Sequence, residues 1–114
     1  MKDLENKLAT AATDEDRIKA LNDLAWNIKY NDPRKAIELA NQAIELALEI
    51  KIETTLSKSY LSKAMGLLHL SRFEESEASA HAGLEIGKKN RDTYRIRSAH
   101  NILGSIYFRC GKLA

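Results

Sequence analysis

The chain has 114 residues, with 18 Lys and Arg against 16 Asp and Glu and a formal net charge of +2. It contains 15 Ala, 15 Leu and 10 Ile, but no Val and only one Pro. This composition predicts one soluble, all-α domain over residues 1–114 and argues against a β-sandwich or a parallel α/β sheet, because strands favour Val, Thr and aromatic residues. The single cysteine, Cys110, excludes an internal disulfide and suits a reducing compartment.

The sequence also lacks the apolar stretches that membranes and export require. No run approaches the roughly 20 apolar residues of a transmembrane helix. Residues 1–7 lack the apolar core of a signal peptide. We therefore expect a cytoplasmic protein without a membrane partner.

Helical periodicity and start signals divide the chain into five predicted helices. The first begins after Thr13, which lies three residues before Asp16 in a helix-start pattern. The second begins at Asp32-Pro33, a capping residue followed by proline at the first helical position. Residues 2–12 add a possible short leading helix. The remaining three helices are predicted at about 53–70, 72–88 and 92–110.

An internal repeat of about 40 residues is the strongest pattern in the sequence. Small residues of the second and fourth predicted helices superimpose at a spacing of 40: Ala36 on Ser76, Ala40 on Ala80, and Ala43 on Gly83. Three dipeptides superimpose at spacings of 41 and 38: Leu24-Ala25, Met65-Gly66 and Leu103-Gly104. Small residues recur where two helices approach closely, so the pattern favours helix pairs that stack on one another.

Over about residues 14–114, these features resemble the tetratricopeptide repeat (TPR) family. The third copy matches the family spacing best, at Leu103-Gly104, Tyr107, Gly111 and Leu113. The period exceeds the usual length of about 34 residues, and Ser62 and His100 stand where the family prefers large apolar residues. The resemblance implies antiparallel helix pairs stacked as a short right-handed solenoid of about two and a half repeats. The alternative is an unrelated five-helix bundle.

The resemblance also implies the internal boundaries of the domain. These are a leading segment at 1–13, repeat 1 at 14–51, repeat 2 at 52–90, and the first helix of a truncated repeat 3 at 91–114. A weaker resemblance joins residues 21–26 and 32–36 to the long-period TPR regions that begin bacterial signalling proteins. Those proteins carry a nucleotide cyclase or histidine kinase output domain, so the chain is expected to be the N-terminal part of such a protein.

In the TPR family, the first helix of each repeat lines a concave groove, which implies a non-catalytic scaffold that binds a peptide or a helix. The groove positions fall on Lys19, Asn22, Trp26, Lys29, Tyr60, Lys63, Leu67, Leu70, Ser98, Asn101, Ser105 and Phe108. Trp26 lies about 100° from the apolar stripe of its helix. It is therefore either a peptide anchor or a cover for the apolar base near Leu4 or Leu8. The carboxylate clamp of chaperone-binding members is absent.

No catalytic or metal-binding motif is visible, and no cofactor is implied. The histidines form no i,i+4 pair and no zinc pattern: His69, His81 and His100. Three acids lie together in a first helical turn, where they favour the positive end of the helix dipole: Glu74, Glu75 and Glu77. We therefore expect a protein that is not an enzyme.

Charge is unevenly distributed along the chain, with 8 basic and 11 acidic residues in 1–57 against 10 and 5 in 58–114. Most of the basic excess lies in one cluster: Lys88, Lys89, Arg91, Arg95 and Arg97. Such a cluster is either a footprint for phosphates or a solvated turn near a helix C-terminus. A helical repeat that binds nucleic acid through this cluster is the alternative function.

The last predicted helix carries more apolar side chains than one face holds. We expect this helix to mediate self-association, as a symmetric homodimer or by exchange of the helix, through Ile102, Leu103, Ile106, Tyr107 and Phe108. The expectation depends on two or three of these side chains being exposed, since full burial of each is worth about 1.5–3 kcal/mol.

Overall fold

A computed structural model describes residues 2–111, and every regular element in that range is an α-helix. The six helices are α1 (Lys2–Ala9), α2 (Asp14–Ile28), α3 (Pro33–Glu49), α4 (Leu56–His69), α5 (Phe73–Lys89) and α6 (Thr93–Cys110). The prediction of an all-α chain is confirmed. Within residues 2–111, no helix is both long enough and apolar enough to cross a membrane.

Side chains cap the starts of α2, α3 and α6, whereas the Thr55 hydroxyl at the start of α4 makes no capping bond. Thr13 accepts a hydrogen bond from the amide of Asp16 at 3.1 Å, at the start of α2. Asp32 accepts one from the amide of Lys35 at 3.2 Å, with proline at the first position of α3. Each such bond satisfies one of the amides that a helix leaves free at its N-terminus, and its loss costs about 1 kcal/mol.

The turns that end α3, α4, α5 and α6 recur every 20 residues. Lys51, Ser71, Arg91 and Gly111 have φ values of 60°, 60°, 56° and 76°. After the first three, the next amide donates back into the helix at 2.9 Å, as from Ile52 to the carbonyl of Ala47. This is the Schellman helix ending, in which a left-handed residue reverses the chain. Because the turns are equally spaced, successive helix–turn units have the same length.

The helices form two layers. Each helix packs against the next one in the chain, and α4 also contacts α2 and α6, so α2, α4 and α6 lie side by side. We call this set the first layer, and α3 with α5 the second layer. Apolar side chains of α2 and α3 form one core cluster, and those of α4, α5 and α6 form another.

The second layer contacts the first through small residues, as the repeat predicts. Ala36, Ala40, Ala43 and Ala47 of α3 are fully buried, and α5 buries Ser76, Ala80, Gly83 and Gly87 at positions 40 later. A Cβ atom on Gly83 would lie only 2.7 Å from Leu61 Cδ2. Helices α4 and α5 therefore approach too closely there for a larger residue.

The superposition of α4 and α6 at a spacing of 38 differs from the structure. The turns that end these helices, at Ser71 and Gly111, lie 40 residues apart. At that spacing Gly104 corresponds to Ala64, and not to Gly66. The connection before α4, residues 50–55, is longer than that before α6, residues 90–92, because α4 begins later in its 20-residue unit.

Candidate functional site

The first layer carries a cleft that brings predicted groove residues from α2 and α6 together. It has a volume of about 230 Å³. Five of the predicted groove positions line it: Trp26, Lys29, Ser98, Asn101 and Ser105. Tyr30, Met65 and Ile102 complete the lining. We call this set the Trp26 cleft.

Trp26 is half-buried and forms one wall of the cleft. Its ring packs against the core cluster of α4, α5 and α6, whereas Leu4 and Leu8 pack against the other cluster. The alternative in which Trp26 covers Leu4 or Leu8 therefore differs from the structure. A half-buried indole beside an open cleft is a suitable anchor for a bound chain, because it offers a large apolar surface at little entropic cost.

Lys29 lies at the end of α2 and is only 8% exposed. Its Nζ donates a hydrogen bond to the carbonyl of Trp26 at 3.0 Å. The same atom lies 4.0 Å from the centroid of the Trp26 ring and 4.5 Å from that of Tyr30. Burial lowers the pKa of Lys29, because desolvation disfavours the ammonium form.

Two further basic side chains lie at the same end of the first layer. The His69 ring packs edge-on against Tyr30 at 4.6 Å between centroids. Arg109 donates a hydrogen bond to the carbonyl of Leu68 at 3.1 Å. Burial lowers the pKa of His69, and the positive charges of Arg109 and Lys29 lower it further. This end of the layer is therefore electropositive.

Asn22, predicted for the groove, has a structural role instead. It is 2% exposed. Its amide nitrogen donates to the carbonyl of Thr55 at 3.3 Å, and its amide oxygen accepts from the Ser59 hydroxyl at 2.6 Å. These bonds join α2 to α4 and leave little of Asn22 for a ligand.

A second cleft of about 390 Å³ lies at the other end of the first layer, and we call it the upper cleft. Lys19, predicted for the groove, is exposed there. Lys58 and Asp23, which also line it, form an ion pair with each other. The upper cleft is the larger of the two, but this pairing of opposite charges gives it less reason to attract a charged ligand.

The predicted groove positions on α4 lie away from both clefts. Leu67 is 1% exposed in the core, and Tyr60 packs against the cluster of α2 and α3. Lys63 is half-buried and lines neither cleft. Lys58 and Met65 line the clefts instead. At 100° per residue, Tyr60 and Lys58 lie about 160° apart on the helix.

Three of the five residues predicted for self-association are buried within the single chain. Ile102, Leu103 and Ile106 are 5%, 5% and 1% exposed, because α6 packs against both α4 and α5. Tyr107 is half-buried, and its hydroxyl lies 3.4 Å from Nε2 of His81. Phe108 is 72% exposed. Self-association through Phe108 stays a prediction.

The basic cluster is divided between separate local contacts. Lys89 pairs with Glu53 at 2.9 Å, and Lys88 lies 3.7 Å from Glu85. Arg95 stacks over the ring of Tyr94 at 4.9 Å. Arg91 occupies the left-handed turn before α6, and Arg97 is exposed on that helix. Partnered lysines next to one aromatic ring do not make the continuous basic and aromatic stripe that nucleic-acid binding favours.

Within residues 2–111, no group of three or more His, Cys, Asp or Glu side chains has the geometry to hold a metal ion. Cys110 is a free, half-buried thiol at the end of α6. The acids predicted to favour a helix dipole lie near the start of α5, where Glu75 also pairs with Arg72 at 2.9 Å.

Sequence reasoning missed Tyr30, Lys58 and Met65 as lining residues, together with the burial of Lys29. No family model matches the chain. Comparisons with curated proteins and with solved structures also gave no match.

Proposed function

We propose that this chain is a non-catalytic protein-interaction module of TPR-like architecture, about two and a half repeats long, wound as a right-handed solenoid. Two features support the proposal. The turns recur at 20-residue intervals, and the small residues of α3 recur in α5 at 40. Each helix–turn unit buries its apolar stripe against its neighbours, as stacked repeats do.

The partner in this proposal is a peptide or a helix that binds on the first layer. The observation that carries the proposal is the meeting of Trp26 and Lys29 with Asn101 in one cleft, although about 70 residues of sequence separate them. The cleft pairs aromatic walls with polar groups at its rim, which is the composition of many binding hot spots. On the weaker resemblance, the module serves as the N-terminal part of a larger bacterial signalling protein.

Selection of a displayed random-peptide library on the purified chain tests this proposal. Selected peptides should shift the single tryptophan indole signal and the amide signals of α2 and α6 in nitrogen-15 spectra. Trp26→Ala should weaken their binding about 30-fold, as for a truncated hot-spot residue. The matched control is Leu48→Ala, because Leu48 is an exposed apolar residue of the second layer; this variant should bind like the wild type.

Two results would contradict the proposal. The first is selected peptides whose signals map to α3 and α5, with no effect of Trp26→Ala. The second is strong, salt-dependent binding of oligonucleotides that Arg95→Ala and Arg97→Ala together abolish. That second result would favour the nucleic-acid alternative, since phosphate contacts weaken steeply as salt rises.

A further inference from the structure

Lys29 is a buried cation without a buried counter-ion. Among residues 2–111, its ammonium belongs to no ion pair. It donates one hydrogen bond, to the carbonyl of Trp26, although an ammonium has three N–H donors. Buried charges are normally paired, because a charge that leaves water without a counter-ion loses its hydration and gains nothing in return. The Lys29 ammonium therefore lacks the negative partner that a buried charge normally has.

The basic side chains around Lys29 strengthen the attraction of this site for an anion. Lys29 and Arg109 lie close enough to His69 for their positive charges to disfavour the protonated form of its imidazole. The Nε2 atom of His69 is buried and has no hydrogen-bond partner. A single anion at this end of the layer would be attracted by Lys29 and Arg109. One carboxylate beside Lys29 would supply the missing negative partner.

Besides Lys29, the Trp26 cleft is lined by four apolar or aromatic side chains and by three polar ones. Trp26, Tyr30, Met65 and Ile102 form its walls, and its volume of about 230 Å³ fits one or two side chains rather than a cofactor. Lys29 is part of the same lining, so a ligand that fills the cleft also meets the ammonium. An apolar side chain and a carboxylate must therefore lie next to each other in the ligand.

The cleft does not close around the ligand. Asn101 and Ser105 also line a shallow surface that continues along α6 to Phe108. A bound chain thus has room to continue past the cleft, with Phe108 as a second apolar contact. This continuity favours a carboxylate within a chain over one at its end.

We propose that the Trp26 cleft binds a protein segment in which an apolar side chain lies beside an internal Asp or Glu, and that the carboxylate of this residue pairs with Lys29. The inference rests on the proposed function, because it uses the same face of the first layer. It adds the two groups that the partner must present, an apolar side chain and an adjacent carboxylate.

The test compares two acetylated and amidated pentapeptides, GLELG and GLQLG, which differ only in the charge of the central residue. Each is titrated into nitrogen-15-labelled protein at neutral pH, and the indole N–H signal of Trp26 reports binding. GLELG should bind at least tenfold more tightly than GLQLG. Lys29→Met should remove this preference and still bind GLQLG. The matched control is Lys35→Met, which removes the same charge from an exposed site on α3; it should keep the preference.

Equal affinity of the two peptides for the wild type would overturn the proposal, as would a preference that survives Lys29→Met. Absence of any shift at millimolar peptide would overturn it as well. A third peptide, GLQL with a free carboxyl end, separates the sources of the carboxylate, and binding as tight as that of GLELG would overturn the internal position. Library-selected peptides that bind at Trp26 without an acidic residue would leave the proposed function intact and remove this inference alone.

Discussion

The two helix layers differ in the kind of side chain that they bury. In the second layer, α3 and α5 repeat each other at 40 residues, and each presents a row of buried small side chains. In the first layer, α2 and α4 hold five of the seven buried polar or charged side chains found in residues 2–111: Asn22, Lys29, Ser57, Ser59 and Ser62. Small residues let helices approach, whereas buried polar groups require partners. The second layer is therefore a packing scaffold, whereas the first layer holds most of the buried hydrogen-bonding side chains.

The largest expected effect tests the scaffold. Gly83→Val should lower the free energy of unfolding by about 3 kcal/mol, since the added side chain overpacks the α4–α5 contact. The Cβ atom alone would lie 2.7 Å from Leu61 Cδ2 and 3.2 Å from the Ser57 carbonyl oxygen. Urea unfolding followed by circular dichroism measures the loss.

Gly104→Val on α6 is the matched control for this prediction. No atom lies within 4 Å of a Cβ at Gly104, and the site is exposed. The variant should be neutral or gain a few tenths of a kcal/mol, roughly the helix-propensity advantage of Val over Gly. Equal losses at the two sites would show that close approach of the second layer is not what requires a small residue.

The packing scaffold could be predicted from the sequence because it depends on residues that act locally. Caps at Thr13 and Asp32 and small residues such as Ala43 and Gly83 act within one turn or at one contact. They are readable wherever they occur. The helices and the close approach of α4 and α5 followed from them.

Much of the candidate site could not be predicted in this way. The burial of Lys29 depends on where Tyr30 and the end of α4 lie, which no local pattern encodes. The lining of the clefts by Lys58 and Met65 depends on how α4 is rotated about its axis against α2 and α6, which is a matter of tertiary packing. The burial of Ile102 and Leu103 depends on how α6 packs against both α4 and α5.

The next largest effect tests the hydrogen bonds of Asn22, which join α2 to α4 in the first layer. Asn22→Ala should lower the free energy of unfolding by about 2 kcal/mol, because it deprives the buried hydroxyl of Ser59 of its nearer acceptor. Asn27→Ala is the control on the same helix. Its amide is exposed and bonds only to the carbonyl of Asp23, so the change should stay within about 0.5 kcal/mol. Similar losses in both variants would contradict the structural role of Asn22.

Substitution of Lys29 should raise the free energy of unfolding, whereas the substitutions of Gly83 and Asn22 lower it. Lys29→Met removes a buried, unpaired charge and keeps the apolar contacts, so it should raise the free energy of unfolding by about 1 kcal/mol. The sign has a pH test. The pKa of Lys29 is lowered in the folded chain, so its penalty is fully present below that pKa. The penalty disappears as the pH rises towards the pKa of the unfolded chain.

The advantage of Lys29→Met over the wild type should therefore be full at neutral pH and shrink at alkaline pH. Thermal unfolding across this range measures it. Lys35→Met, at an exposed site, should show no such trend. A variant that is less stable than the wild type at neutral pH would mean that the contacts with Trp26 and Tyr30 outweigh the cost of burying the charge.

The smallest effect concerns the turns, which belong to neither layer. Arg91 has a φ of 56°, a region where L-residues are strained by roughly 1 kcal/mol or more. Glycine relieves this strain but loses more entropy on folding, about 0.5 kcal/mol, so Arg91→Gly should gain only about 0.5 kcal/mol. Asn90→Gly, one residue earlier at a φ of −88°, should lose stability instead, because there is no strain to relieve.

Lys51→Gly and Ser71→Gly extend this prediction to all the turns that share the hydrogen-bonding pattern. Each of the three residues has the same φ within a few degrees, and the amide after each donates at 2.9 Å to a carbonyl five residues back. Their gains should therefore agree, although they connect different helices and different layers. Unequal gains would mean that the layers impose their own strain on the turns. The 20-residue spacing would then follow from the packing of the helices rather than from the turns themselves.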